Sequence, residues 1–111
     1  MVVIAEIFYN INYKMIIVPS TRKDKRLMAN FGKNQNGKDI IRHFGSPSPS
    51  QAFVDHGDKN KKRNYIARHR VNEDWKNPYK PGALSRYILW ETMDIEENIR
   101  RYKKRFKKYK L

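Results

Sequence analysis

The stretch YIARHRVNEDW, residues 65–75, gathers Arg68, His69, Arg70, Glu73 and Asp74 in eleven positions. Such density offers either acid–base and metal chemistry or the joint of a small scaffold. Asp74-Trp75-Lys76 matches the D-x-K half of a metal-dependent nuclease motif, with Asp55 upstream as the candidate second carboxylate. That chemistry needs both carboxylates on adjacent strand ends, sharing a magnesium ion beside the lysine. Asp74 instead falls in a proline-bounded turn after a helix, which is the wrong context. His43, His56 and His69 stand thirteen residues apart, with no H-x₃-H pair and no cysteine to complete a zinc site. There is no Gly-rich phosphate loop and no nucleophile elbow. The expectation is therefore a protein without catalytic residues, metal or cofactor. On the structural reading, Glu73 and Asp74 accept from Arg68 or Arg70 or cap free N–H groups of the next turn. Trp75 plugs that turn, and His69 is a packed ring that donates one hydrogen bond.

The elements that would position these residues read as strands followed by helices. VVIAEIFY (2–9) and KMIIV (14–18) are short runs rich in β-branched residues, and further strands are expected at 26–31 and 40–44. They predict an antiparallel meander of three or four strands. GSPSPSQ, 45–51, is a Pro/Ser linker, after which the pattern turns helical. Asp58 is placed to N-cap a helix to about Arg70, with Tyr65, Ile66 and His69 inward. Residues 72–82 form a long turn, and ALSRYILW (83–90) a short, largely buried helix. Ile95, Ile99, Tyr102, Phe106 and Tyr109 recur at helical spacing and predict a helix over 94–108. Asp94 with Glu97 resembles a capping pair, and Glu96–Arg100 and Glu97–Arg101 have the favourable i,i+4 order. The class is α+β, a small antiparallel hairpin or meander closed by two or three helices. Residues 1–13 read as an extension to a single domain over 14–108.

Charge bounds the function. Twenty-five Lys and Arg against eleven Asp and Glu give a net charge of +14 over 111 residues. Such a chain seeks a polyanion. Cysteine is lacking, so no disulfide framework exists. The apolar N-terminus lacks the basic start of a signal peptide, and no run reaches the ~20 apolar residues of a membrane span.

Two segments concentrate the cations. NIRRYKKRFKKYKL carries Arg100, Arg101, Lys103, Lys104, Arg105, Lys107, Lys108 and Lys110 without an acid. Its aromatic stripe packs on the chain's own core with the charges in solvent, or the charges face phosphates, or stripe and charges together dock in an acidic groove. The run KNKKR (Lys59, Lys61, Lys62, Arg63) opens the central helix at the positive end of its dipole, an unfavourable placement that a bound anion would relieve.

The order HFG…YIARHRVNEDW…GALSRYILW resembles a family of small basic proteins of large nucleocytoplasmic DNA viruses. Its pattern runs H-F-G, D-x-T-x-H-K-D, Y-x-x-R-H-x-x-x-E-D-W and A-G-x-x-S-R-x-x-L-W. The matching residues are His43, Phe44, Gly45, Tyr65, Arg68, His69, Glu73, Asp74, Trp75, Gly82, Ser85, Arg86, Leu89 and Trp90. The likeness spans roughly residues 14–107. In the second motif His56 and Asp58 are kept, while Val54 and Gly57 replace its threonine and lysine, and Pro81 stands where the last motif has alanine. The resemblance implies a virus-encoded protein of the virion without assigned catalysis. From that setting follow the expected localisation, the capsid, with the host cytoplasm during assembly, and the expected role. The role is a minor capsid or cementing protein on the inner side of the shell, bridging capsomers and touching major or other minor capsid proteins. Contact with the inner-membrane surface or viral DNA is compatible with it. The alternative is a sequence-independent nucleic-acid-binding virion protein. Tyr65, Arg68, His69, Glu73, Asp74, Trp75, Gly82, Arg86, Leu89 and Trp90 would then form the joint between the central helix and the ILW helix.

Overall fold

A computed structural model describes residues 14–111; the expected strand at 2–9 and the extension 1–13 lie outside the described residues. Three strands, β1 (Ile16–Pro19), β2 (Leu27–Lys33) and β3 (Asp39–Phe44), form an antiparallel meander in the order β1-β2-β3. Alternation sets the faces: Met15, Ala29, Phe31 and Phe44 are buried, whereas Ile16 and Ile41, in register through Asn30, face outward. The polar GKNQNGKD stretch is the β2–β3 turn. Asn34 Oδ1 accepts from the N–H groups of Asn36 and Lys38, and Gly37 takes the positive φ the turn demands.

Helices close over the inner face. The expected helix over 58–70 is preceded by a single turn, α1 (Phe53–His56), which the sequence reading left unassigned. The central helix, α2, covers Lys59–His69, and Asp58 caps it as expected, accepting from Asn60 N and Lys61 N. Those bonds, Lys61 first, hold the Asp58 carboxyl below its ordinary range. The buried helix starts two residues earlier than expected, as α3 (Pro81–Leu84), because Pro81 suits a position whose N–H has no partner. It continues as a π-helical stretch, Ser85–Leu89, in which Trp90 N–H reaches back to Ser85 O. Ala83, Leu84, Ile88 and Leu89 are fully buried.

The last helix, α4, spans Ile95–Arg105, three residues short of the expected end. Phe106 leaves the helix and a 3₁₀ turn, Lys107–Tyr109, follows. The turn carries Leu111 into the core, so the packed domain extends past residue 108. Asp94 caps α4 through Glu97 N, but Glu97 does not complete a capping box: its carboxylate takes both Arg100 and Arg101. Arg100 pairs with Glu97 at i,i+3, beside the expected i,i+4 pair of Glu97 with Arg101.

Asn98 sits inside the apolar stripe and is fully buried. Its Oδ1 accepts from Thr92 N and Thr92 Oγ, at 3.1 and 2.6 Å; its Nδ2 donates to Ile88 O and Thr92 O, at 2.8 and 2.9 Å. Every bonding position of the amide is filled, and the carbonyl of Ile88 near the end of the π stretch is satisfied. Beside it Tyr102 donates to the carbonyl of buried Pro78 at 2.7 Å, fastening the long turn onto α4. Asn98→Ala leaves these groups buried without partners and is expected to cost about 3 kcal/mol. Urea unfolding measures this; a loss below about 1 kcal/mol would show that the amide is dispensable.

Candidate functional site

Glu73 lies at the centre of the YIARHRVNEDW stretch. Its Oε1 lies 2.8 Å from His69 Nδ1 and its Oε2 accepts from Trp75 Nε1 at 2.9 Å. Gly82 completes the contact by what it lacks: a Cβ there would stand 2.9 Å from Glu73 Oε2. One carboxylate therefore joins the end of α2, the following turn and the start of α3. The donors are His69 and Trp75, not the Arg68 or Arg70 expected from the sequence. His69 stacks on Tyr65, and Tyr65 on Trp90, with 4.1 Å between centroids in each pair. Burial raises the Tyr65 hydroxyl above its ordinary value. Gly45, at φ +85°, leaves room for Leu89, whose Cδ1 would lie 2.5 Å from an added Cβ. Phe44, Gly45, Tyr65, Arg68, His69 and Glu73 share the wall of a cleft of about 550 Å³ with Gly82, Leu89 and Trp90.

One expectation is met and one corrected. Asp74, exposed, accepts from the N–H of Lys76, capping the next turn, which is the second of the two expected arrangements. Trp75 is half-buried, edge-on to Tyr87 at 6.4 Å, not a buried plug. The nuclease pairing also dissolves, because Asp55 is held by Arg26 in a two-pronged bond of 2.6 and 2.9 Å. That bond, first among its causes, lowers the Asp55 carboxyl. His43 bonds Ser20, His56 accepts from Asp58 N and His69 meets Glu73, so the three rings serve three separate bonds. Among the described residues no group of three His, Asp or Glu is placed to hold a metal ion.

A second carboxylate, missed by the sequence reading, links the helices. Glu91 lies 3.5 Å from Lys62, 3.6 Å from Arg86 and 4.0 Å from Arg105, cations of α2, the π stretch and α4. Lys62 also donates to Glu91 O at 2.6 Å and lies 5.0 Å from the Phe53 ring, so it is an internal tie and not an outward contact. Arg86 is largely buried, 5.0 Å above Tyr87 and 5.6 Å from Trp75. Glu91 brings the two basic runs into one neighbourhood, where Lys59, Lys61, Arg63, Arg101, Lys104, Arg105, Lys107 and Lys108 are exposed. Lys103 is half-buried and its ammonium is lowered by burial; Arg100 is held by Glu97, whose carboxyl that bond lowers. The stripe itself is used at home: Tyr102 and Phe106 are buried in the core, with Ile99 and Tyr109 packed against it. Docking of stripe and charges together in an acidic groove is therefore ruled out for this conformation.

These features define a small α+β domain with clamped helices and a basic helical face. Residues 15–69 match a family of unknown function, DUF5754. That match covers the sheet, α1 and α2, and stops at His69. No curated protein and no solved structure matches the chain. No helix among the described residues is long and apolar enough to cross a membrane.

Two outcomes check the site. Gly82→Ala and Glu73→Ala should each cost about 1–3 kcal/mol, and the double variant less than their sum by about 1 kcal/mol; strict additivity in denaturant unfolding would separate the two residues. Because the folded Asp55 carboxyl is lowered, its contribution is present above the unfolded value of about 3.9 and fades as pH falls through the folded one. The stability gap between the protein and Asp55→Asn should be constant near neutrality and close in that acid window. A gap that ignores pH in thermal melts contradicts the ion pair.

Proposed function

We propose that the protein is a non-catalytic structural component of the particle of a large nucleocytoplasmic DNA virus, seated on the inner side of the capsid. Its basic helical face meets acidic patches of major or other minor capsid proteins and bridges capsomers. Assembly in the host cytoplasm and later residence in the virion follow from that role. One observation carries the electrostatic part. Six of the carboxylates are committed to ties within the fold: Asp58 and Asp94 as caps, Asp55, Glu73 and Glu91 as clamps, Glu97 on two arginines. Among the described residues the exposed Lys59, Lys61, Lys104, Lys107 and Lys108 consequently make no ion pair, and an external acidic surface supplies their counter-charge. The virion setting rests on the sequence resemblance.

Arg101, Lys104 and Lys108, one turn apart along the exposed side of the final helix and its 3₁₀ continuation, favour a second reading, phosphate contact along viral DNA without sequence readout. Purified, nuclease-treated particles separate the two. Retention in fixed ratio to the major capsid protein, measured by quantitative mass spectrometry, is the expected result. Absence from particles overturns the virion role. Loss together with the DNA favours the second reading, in which Lys104, Lys107 and Lys108 changed to Ala would reduce the salt slope of duplex binding by about 2–3.

A further inference from the structure

The turn after α2 and the end of the last helix enclose an open groove of about 830 Å³. Trp75, Tyr87 and Phe106 line it together with the exposed Lys76, Lys107 and Lys108. The volume suits a few side chains of a bound segment. Its two carboxylates have internal donors: Glu73 holds His69 and Trp75, and Asp74 accepts from Lys76 N. Lys76 and Lys107 make no side-chain hydrogen bond or ion pair among the described residues, so the groove presents donors in need of acceptors.

The aromatic rings decide what kind of acceptor fits. Nucleobases bind such a groove by stacking on open ring faces. Here the faces carry the protein's own cations: Arg105 lies 4.0 Å and Arg86 5.0 Å from the Tyr87 centroid, Arg86 5.6 Å from Trp75 and Lys108 5.3 Å from Tyr109. Those cations compete with any base for the ring faces, whereas the lysine ammonium groups beside them suit carboxylates, with room for one apolar side chain.

We infer that this groove is the docking site for an acidic segment of a partner protein. Its carboxylates meet Lys76, Lys107 and Lys108, and an apolar side chain lies against the half-buried Trp75. This deepens the reading above, on which it rests: it names where on the basic face a protein partner is gripped.

The test titrates isotope-labelled full-length protein with a capped peptide of about six residues, Asp and Glu around a central Phe, and follows amide and indole resonances. Saturable shifts at Trp75 Nε1–H, Lys76, Phe106 and Lys107 are expected. The triple variant Lys76→Ala, Lys107→Ala, Lys108→Ala, checked for an unchanged melting curve, should weaken binding about tenfold or more, and Lys59→Ala with Lys61→Ala by less than about twofold. Equal losses in both variants would reduce the effect to diffuse charge and overturn the site. So would shifts confined to α2, or tighter binding of oligo-dT at the same resonances. Failure here with the protein still retained in nuclease-treated particles removes only the groove; absence from particles removes the virion reading whatever the peptide does.

Discussion

Negative charge is scarce in this chain, and its placement governs the fold. With twenty-five cations against eleven carboxylates, the few that meet helix ends or half-buried cations carry most of the electrostatic organisation. Glu91 is the clearest case, drawing Lys62, Arg86 and Arg105 toward one group and so setting how α2, the π stretch and α4 meet. Glu73 does the corresponding work with two ring N–H donors, tying a histidine and an indole together over the gap left by Gly82. Arg26 and Asp55 do the same between the entry to β2 and α1. At α2 the same scarcity answers the unfavourable cations at the helix start. Asp58 supplies the negative charge that a bound anion would otherwise bring, and Lys62 turns away toward Glu91.

The second organising element is the widened turn at Ser85–Leu89. A π stretch leaves its carbonyls out of ordinary helical register, so they need a donor from elsewhere. Asn98 supplies it from the facing helix, and the same amide binds both the N–H and the carbonyl of Thr92. A buried amide with all four positions filled rigidifies and specifies, where an apolar residue would allow sliding. Tyr102, one turn further on, fixes the Pro78 carbonyl in the same way, and burial raises its hydroxyl well above the ordinary range.

The sheet, the Asp58 cap and the stripe of α4 were legible in the sequence because each is written in local signals: alternation, a capping residue, a period of 3.6. The long-range partners were not. Nothing adjacent to Glu73 distinguishes Trp75 and His69 from Arg68 as donors; that choice follows from the turn folding the indole back beneath the carboxylate. Glu91 follows the ILW segment as one more polar residue, and its role depends on where α2 and α4 pass. Asn98 did leave a trace. It falls between Ile95 and Tyr102 on the apolar face, and a polar side chain in such a stripe asks for buried partners. The end of α4 at Arg105 was hidden because the stripe continues through Phe106 and Tyr109 while the backbone changes to a 3₁₀ turn.

That change of backbone also limits how the protein can bind. The final helix carries the most basic segment, yet its apolar side is spent on the core, leaving mostly cations and ring edges for a partner. Binding through such a surface gains its rate and selectivity from charge, and weakens as salt screens it. Rigid packing beneath sets the spacing of the cations, since Glu91, Asn98 and Tyr102 leave the final helix little freedom against its neighbours. On the proposed role, a partner that matches this spacing would be gripped without the domain having to reorder, and polyanions of other spacing would be held only by their charge.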